Sequence, residues 1–143
     1  MEATKSALES LVMKPSFWSQ KRVLITGHTG FKGGWLSLWL QMMKAQVVGY
    51  SLLPPTEPSL FNVAQVGKHM QSIIGDIRDF DHLRRVISEH QPEIVFHLAA
   101  QAIVRDSYED PLNTFDTNIM GTVKMLEAIR LADCVRAVVV VTR

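Results

Sequence analysis

Two hydrophobic rhythms alternate along this chain. Short runs that are apolar on both faces are followed by longer stretches whose apolar residues recur every three or four positions. The first rhythm suits a strand covered on both sides, the second an amphipathic helix. "RVLITG", Arg22 to Gly27, predicts the first strand. "GWLSLWLQMMKA" predicts a helix with a stripe of Trp35, Leu36, Trp39, Leu40 and Met43 facing the sheet. "QVVGYSL", Gln46 to Leu52, predicts a second strand. "PPTEPS" then forbids a helix or a central strand, and "SLFNVAQVG" reads as a short helix.

"QSIIGD" predicts a third strand ending at Asp76. Asp79 caps the next helix, whose stripe is Leu83, Val86 and Ile87 and which ends before Pro92. "EIVFHLAA" is the fourth strand. Asp110 and Pro111 open a long helix with a stripe of Leu112, Phe115, Ile119, Val123, Leu126 and Ile129. "RAVVVVT", Arg136 to Thr142, is the fifth strand. Strands that alternate with helices in this way build an α/β fold. It is a Rossmann-type doubly wound parallel sheet with five predicted strands, cut short after the fifth.

The junction between the first strand and first helix reads "TGHTGFKGGWL", with Gly27, Gly30 and Gly33 three apart. At such a junction a first glycine permits the tight turn. A second lets backbone approach a pyrophosphate at the helix N-terminus, and a third lets helix and strand pack closely. The spacing G-x-x-G-x-x-G departs from the G-x-G-x-x-G fingerprint. Its position after the first strand makes a dinucleotide the expected ligand. The acid that usually reads the ribose at the end of the second strand is missing: "VVGYSLL" offers Tyr50 and Ser51, with no arginine for a 2′-phosphate. The residues leave NAD versus NADP open.

Composition narrows the class further. At 143 residues the chain is one ordinary domain in size. A formal net charge of +1 gives no bulk basicity for nucleic acid, and no run is long and apolar enough for a membrane span. A single cysteine, Cys134, excludes an internal disulfide and fits a reducing compartment, so a cytoplasmic protein is expected. It reads as a small hydrophobe. The first 16 residues make a poor targeting peptide and read as an extension, and Met13 could equally be the start. No metal spacing is present. His28 reads as a loop filler and His97 as a core histidine. Arg105 is either a phosphate contact or a solvated loop charge. Trp35 and Trp39 read as sheet packing.

"VLITGHTGFKGGWLSLWL", "GYSLLPPTEPSLF", "GDIRD", "PEIVFHLAAQAIVRDSYEDPLNTFDTNIMGT" and "MLEAIR" together resemble the extended short-chain dehydrogenase/reductase family of nucleotide-sugar enzymes. "HTGFKG" with "PPTEPSLF" resembles its CDP-glucose 4,6-dehydratase branch. The resemblance implies that the backbone of Phe31 and Lys32 lines the pyrophosphate beside Gly27, Gly30 and Gly33. It implies that Asp76 and Ile77 hold the adenine. Ala99, Ala100 and Gln101 would lie against the cofactor. Asn118 would either hold the cofactor side of the active centre or tie helix to strand.

The family's chemistry needs a Ser or Thr after strand five, then a Tyr and a Lys four residues apart on the next helix. Here "VVVVTR" places Arg143 at the serine position, and no YxxxK occurs. The resemblance therefore implies a cofactor-binding domain over 17–143 that is incomplete. It carries no catalytic residue, and the substrate domain is absent. The expected substrate of the full-length family is a nucleotide sugar, CDP-glucose, in metabolism feeding lipopolysaccharide. A homo-oligomer is left open. The competing readings are a non-catalytic dinucleotide-binding module, another sugar epimerase or dehydratase, and a fragment without function of its own.

Overall fold

A computed structural model describes residues 14–141. The expected extension up to residue 13, the alternative start at Met13, and Thr142 and Arg143 lie outside the described residues. The order of elements is α1 (Pro15–Trp18), β1 (Arg22–Thr26), α2 (Phe31–Met42), β2 (Gln46–Ser51) and α3 (Leu60–Val63). Next are a 3-10 turn (Val66–His69), β3 (Gln71–Ile74), α4 (Phe80–His90) and β4 (Ile94–His97). Then come α5 (Val104–Glu109), α6 (Pro111–Phe115), a π turn (Asp116–Met120), α7 (Gly121–Arg130) and β5 (Ala137–Val140). Asp79 accepts from the His82 amide and Asp110 from the Asn113 amide, so both predicted caps operate. Val104–Glu109 forms a helix where the sequence suggested a loop.

All five strands run parallel in the order β3-β2-β1-β4-β5. The sheet is covered on both faces, and β1 shows how. Val23 and Ile25 point into one core with Leu40 of α2 and Met43 just after it, while Leu24 points into the other with residues of α4 and α7. Alternation along one strand thus feeds two cores, which is why its sequence looks apolar without a period. The β5 edge pairs with β4 alone among the described residues, and Val139 and Val140 on it are exposed.

Two helices turn a different face to the sheet than their large residues predicted. In α2 the buried residues are Gly33, Gly34, Ser37 and Leu40, whereas Trp35 and Trp39 are 55% and 51% exposed. Small residues on the inner face let this helix lie close to the sheet, and the bulky rings are turned outward. The same correction applies to the long helix. Leu112, Phe115, Ile119, Val123 and Leu126 are all exposed, and α7 buries Gly121, Met125 and Ala128. The π turn adds a residue to one turn and so rotates α7 about the helix axis. Gly121 then meets Ile77, whose Cγ2 would sit 2.7 Å from a side chain there. Cys134 packs half-buried against the α4/α7 core, as a small hydrophobe should.

Two histidines are built into the interior. His28 is fully buried, with Nε2 2.7 Å from the Ser72 hydroxyl and its ring edge-on to Phe61. It is a core side chain and not the expected loop filler, because the turn after β1 folds inward over Gly49, which has no side chain to exclude the ring. His97 is the core histidine that the sequence suggests. It lies on β4 with Nδ1 2.7 Å from the Thr26 hydroxyl and Nε2 3.0 Å from that of Thr122. Burial pushes each down to about 4, with the Tyr50 backbone acting weakly in the opposite direction on His28.

The unfolded chain therefore binds protons near the ordinary histidine value, about 6.5, that the folded chain refuses until about 4. Their stabilisation is complete above that ordinary value and drains away as pH falls. Each histidine is expected to cost about 2 kcal/mol of stability between about pH 7 and 5, above the range where carboxylates titrate. Urea midpoints across that interval measure it, and an unchanged midpoint would contradict the burial of both rings.

Candidate functional site

The strand order reverses direction between β1 and β4, so the connections leave to opposite sides and open a crevice beyond the carboxyl ends of the strands. Three segments meet there. β1 ends at Thr26, beside Tyr50 of β2 and His97 of β4. The chain then turns at Gly27, whose φ of +79° is in the left-handed region. A side chain on Gly27 would come within 2.8 Å of the Ala99 amide nitrogen. α2 starts four residues later.

The glycines of this turn are not equivalent. A side chain on Gly33 would overlap the Gly27 carbonyl oxygen and lie 2.8 Å from its carbon, so strand and helix could not meet as they do. Gly30 differs: its φ of −76° suits any residue, and a side chain there would meet only the Gly27 oxygen at 3.4 Å. Sterically the fold leaves room for a side chain at position 30, where Gly30 is the N-cap of α2.

Among the described residues no side chain caps α2. Its first hydrogen bond runs from the Gly34 amide to the Gly30 carbonyl at 2.8 Å. The amides of Phe31, Lys32 and Gly33 are left at the positive end of the helix, and they adjoin a cavity of about 490 Å³. Gly27, Gly30, Phe31, Lys32 and Gly33 line one side of this cavity. Asp76 and Ile77 line another, and Ala99, Ala100 and Gln101 a third. Ten residues singled out from the sequence are thus brought around one space. The eleventh, Asn118, stands behind the wall. Its Oδ1 accepts from the Gln101 amide at 2.8 Å, and its Nδ2 donates to the Gln101 carbonyl at 3.0 Å.

Asp76 is held as a carboxylate. The Arg78 guanidinium donates to both of its oxygens, at 2.6 to 3.1 Å, and keeps its pKa below the usual range. Arg78 also reaches Asn113 at 2.9 Å and Asp116 at 3.6 Å, which ties the loop after β3 to the helix that follows β4. Sequence reasoning passes over Arg78, although it stands inside "GDIRD".

The end of β2 also contributes more than its sequence suggests. Thr29 donates to the Leu52 carbonyl at 2.9 Å and lies 2.8 Å from the Ser51 hydroxyl, which pins the glycine turn to the strand. Leu52, Leu53 and Pro55 complete that wall. The only sign of it in the sequence is the adjoining proline-rich stretch.

Tyr50 lines the cavity but donates its hydroxyl to the Asp76 carbonyl at 2.8 Å, and burial pushes its pKa up to about 12. It is a structural phenol rather than a base. Arg105 lies outside the cavity wall, exposed and paired with Glu109 at 3.2 Å. Among the described residues no group of three or more acidic, His or Cys side chains could hold a metal. None of their helices is long and apolar enough to cross a membrane. The cavity thus offers amides at a helix start, a fixed acceptor at Asp76, and small apolar walls.

Comparison with known proteins shows the family. The family model for GDP-mannose 4,6-dehydratase matches residues 24–142. The chain is 57% identical over 127 residues to the CDP-glucose 4,6-dehydratase of Salmonella typhimurium, covering 89% of this chain and 35% of that protein. It is 35% identical over 121 residues to the GDP-mannose 4,6-dehydratase of Yersinia enterocolitica, covering 78% and 32%. The UDP-glucose 4-epimerase of Stenotrophomonas maltophila, solved with NAD and formylated UDP-arabinopyranose, superposes with a TM-score of 0.75 at 30% identity, over 85% of this chain and 36% of that one. That of Thermus thermophilus, solved with NAD, gives 0.71 at 32% identity, over 81% and 36%. The chain spans about a third of the length of these relatives. With five parallel strands, a glycine turn at the crevice and a match over residues 24–142, the chain belongs to the GDP-mannose 4,6-dehydratase family of nucleotide-sugar dehydratases and epimerases.

Proposed function

We propose that this chain binds NAD as the cofactor-holding part of a nucleotide-sugar 4,6-dehydratase whose substrate is CDP-glucose. One observation carries the dinucleotide reading: the amides at the start of α2 have no side-chain cap among the described residues and adjoin an open cavity beside Gly30, where a side chain would meet only the Gly27 oxygen at 3.4 Å. A site that must admit a pyrophosphate at that point accounts for it. In this reading the amides of Phe31, Lys32 and Gly33 receive the phosphates. The Asp76 carboxylate accepts from the adenine amine, and the Ile77 backbone lies beside the same ring. Ala99 and Ala100 leave room for a ribose, and Asn118 holds Gln101 in place against the cofactor. No acid or arginine stands at the end of β2, so NADP is not repelled there.

The bound nicotinamide would supply the chemistry of the reaction by taking a hydride from the sugar and giving one back. The dehydration also needs a tuned proton carrier. Tyr50 is committed elsewhere, and no other phenol lines the cavity among the described residues. The unit over 17–143 therefore holds the cofactor, and proton transfer and sugar binding belong to the remaining two thirds of the relatives' length. The assignment to CDP-glucose rests on the 57% identity to a CDP-glucose 4,6-dehydratase. A non-catalytic dinucleotide-binding module is the second reading, and the lack of an uncommitted phenol on this cavity among the described residues favours it.

Two glycine substitutions separate fold from ligand. Gly33→Ala is expected to cost about 3 kcal/mol or more in stability, because backbone must move. Gly30→Val is expected to fold, at a cost of about 1 kcal/mol for a poorer N-cap, while losing at least about tenfold in NAD affinity by calorimetry. An unchanged affinity in a folded Gly30→Val chain would remove the pyrophosphate from this turn.

The substrate is tested with the protein extended to its relatives' full length, which is expected to convert CDP-glucose to a 4-keto-6-deoxy product and to leave GDP-mannose largely untouched. The opposite preference would overturn the choice of sugar nucleotide. Conversion of neither would favour the non-catalytic reading.

A further inference from the structure

The buried hydroxyls and imidazole between β1 and the π turn form a chain of hydrogen bonds whose direction can be worked out atom by atom. Thr26 Oγ1 accepts from the Ala99 amide at 3.2 Å and shares the Leu98 amide, also at 3.2 Å, with the Thr26 carbonyl at 3.1 Å. With both amides aimed at its lone pairs, the hydroxyl proton is turned toward His97 Nδ1, 2.7 Å away. At the other end, the Thr122 hydroxyl donates to the Asn118 carbonyl at 2.7 Å, and a carbonyl can only accept. Thr122 therefore accepts from His97 Nε2, 3.0 Å away. The two ends agree on one state of the ring: neutral, with its proton on Nε2.

This chain does not stop at Thr122. Asn118, whose carbonyl receives the Thr122 proton, holds the Gln101 backbone with both atoms of its side-chain amide. Gln101 lies in the irregular stretch after β4 that forms one wall of the cavity. The π turn from Asp116 to Met120 brings Asn118 to that place, and a single π turn within a helix often marks a functional position.

We infer that His97 is a positioning residue for the dinucleotide site, and that the ordered chain Thr26–His97–Thr122–Asn118 sets where the Gln101 backbone stands. The role in binding rests on the dinucleotide reading of the cavity, whereas the ordering of the chain does not. His97 touches no ligand in this account and acts through Thr122 and Asn118. The imidazole serves because its two nitrogens, one accepting and one donating, join the Thr26 hydroxyl on β1 to the Thr122 hydroxyl on α7.

Nitrogen NMR of the ring in the ligand-free chain tests the ordering directly. A protonated Nε2 and bare Nδ1 are expected at neutral pH, and the reverse would overturn the proposal without any variant being made. Thr122→Val keeps the shape and removes the hydroxyl. It is expected to shift the Gln101 amide resonance, to speed its hydrogen exchange, and to lower NAD affinity about tenfold. Thr122→Ser is expected to restore all three, which a loss of packing alone would not do. His97→Gln, whose side-chain amide can still donate to Thr122, is expected to leave the Gln101 amide near its parent position. An unmoved Gln101 amide with parental affinity in Thr122→Val would show that the chain positions nothing. The ring and Gln101 readouts need no ligand. Failure of the parent chain to bind NAD would therefore sink the dinucleotide reading and leave the ordering to be judged by NMR alone.

Discussion

Everything at the carboxyl end of this sheet depends on the contact between the Gly27 carbonyl and the first turn of α2. A single side-chain carbon at position 33 would overlap that oxygen. With no carbon there, the helix begins almost at the strand end, and its unpaired amides face the crevice where β1 and β4 diverge. Gly27 is constrained from the other side, by the backbone of Leu98 and Ala99. The two glycines lock β1, β4 and α2 together, and the cavity is what this close approach leaves over. Gly30 sits between them free of such constraint, which separates its reason for being glycine from theirs.

Around that lock the side chains divide into holders and walls. Asp76 is fixed by Arg78, and Arg78 in turn braces the helix after β4. Gln101 is fixed by Asn118. Thr29 pins the turn to β2. The groups that face the cavity are mostly backbone or small, and the charged and polar side chains stand one layer behind. In the proposed reading such an arrangement would select a ligand by shape and by an anion at the helix terminus. It is consistent with a chain that matches about a third of each relative.

The fold is legible because strands buried on both faces have a plain signature, and β1 shows it in five residues, with caps at Asp79 and Asp110 marking helices between. The cavity residues are legible for a different reason. Glycines, Asp76 and the two alanines are short or special residues at strand ends, and the family resemblance points to the same positions. The helix faces are not legible. In α2 both sides carry apolar residues, and the eye follows Trp35 and Trp39, but close packing selects the side with Gly33, Gly34 and Ser37. In the long helix a π turn shifts the register midway, and no local pattern announces it. Arg78 and Thr29 escape a sequence reading because their partners are set by tertiary contacts, and His28 does so because only the fold turns its ring inward. The tautomer of His97 depends on counting lone pairs around Thr26, which no sequence displays.

The central claim is that an anion sits over the start of α2 because glycine geometry has opened that space. Its most direct test is a titration of nitrogen-labelled chain with NAD followed by amide NMR. The account predicts that the largest shifts fall on the amides of Gly30, Phe31, Lys32 and Gly33, with a second group at Asp76 and Ile77. Shifts confined to other surfaces, or none at saturating NAD, would contradict it.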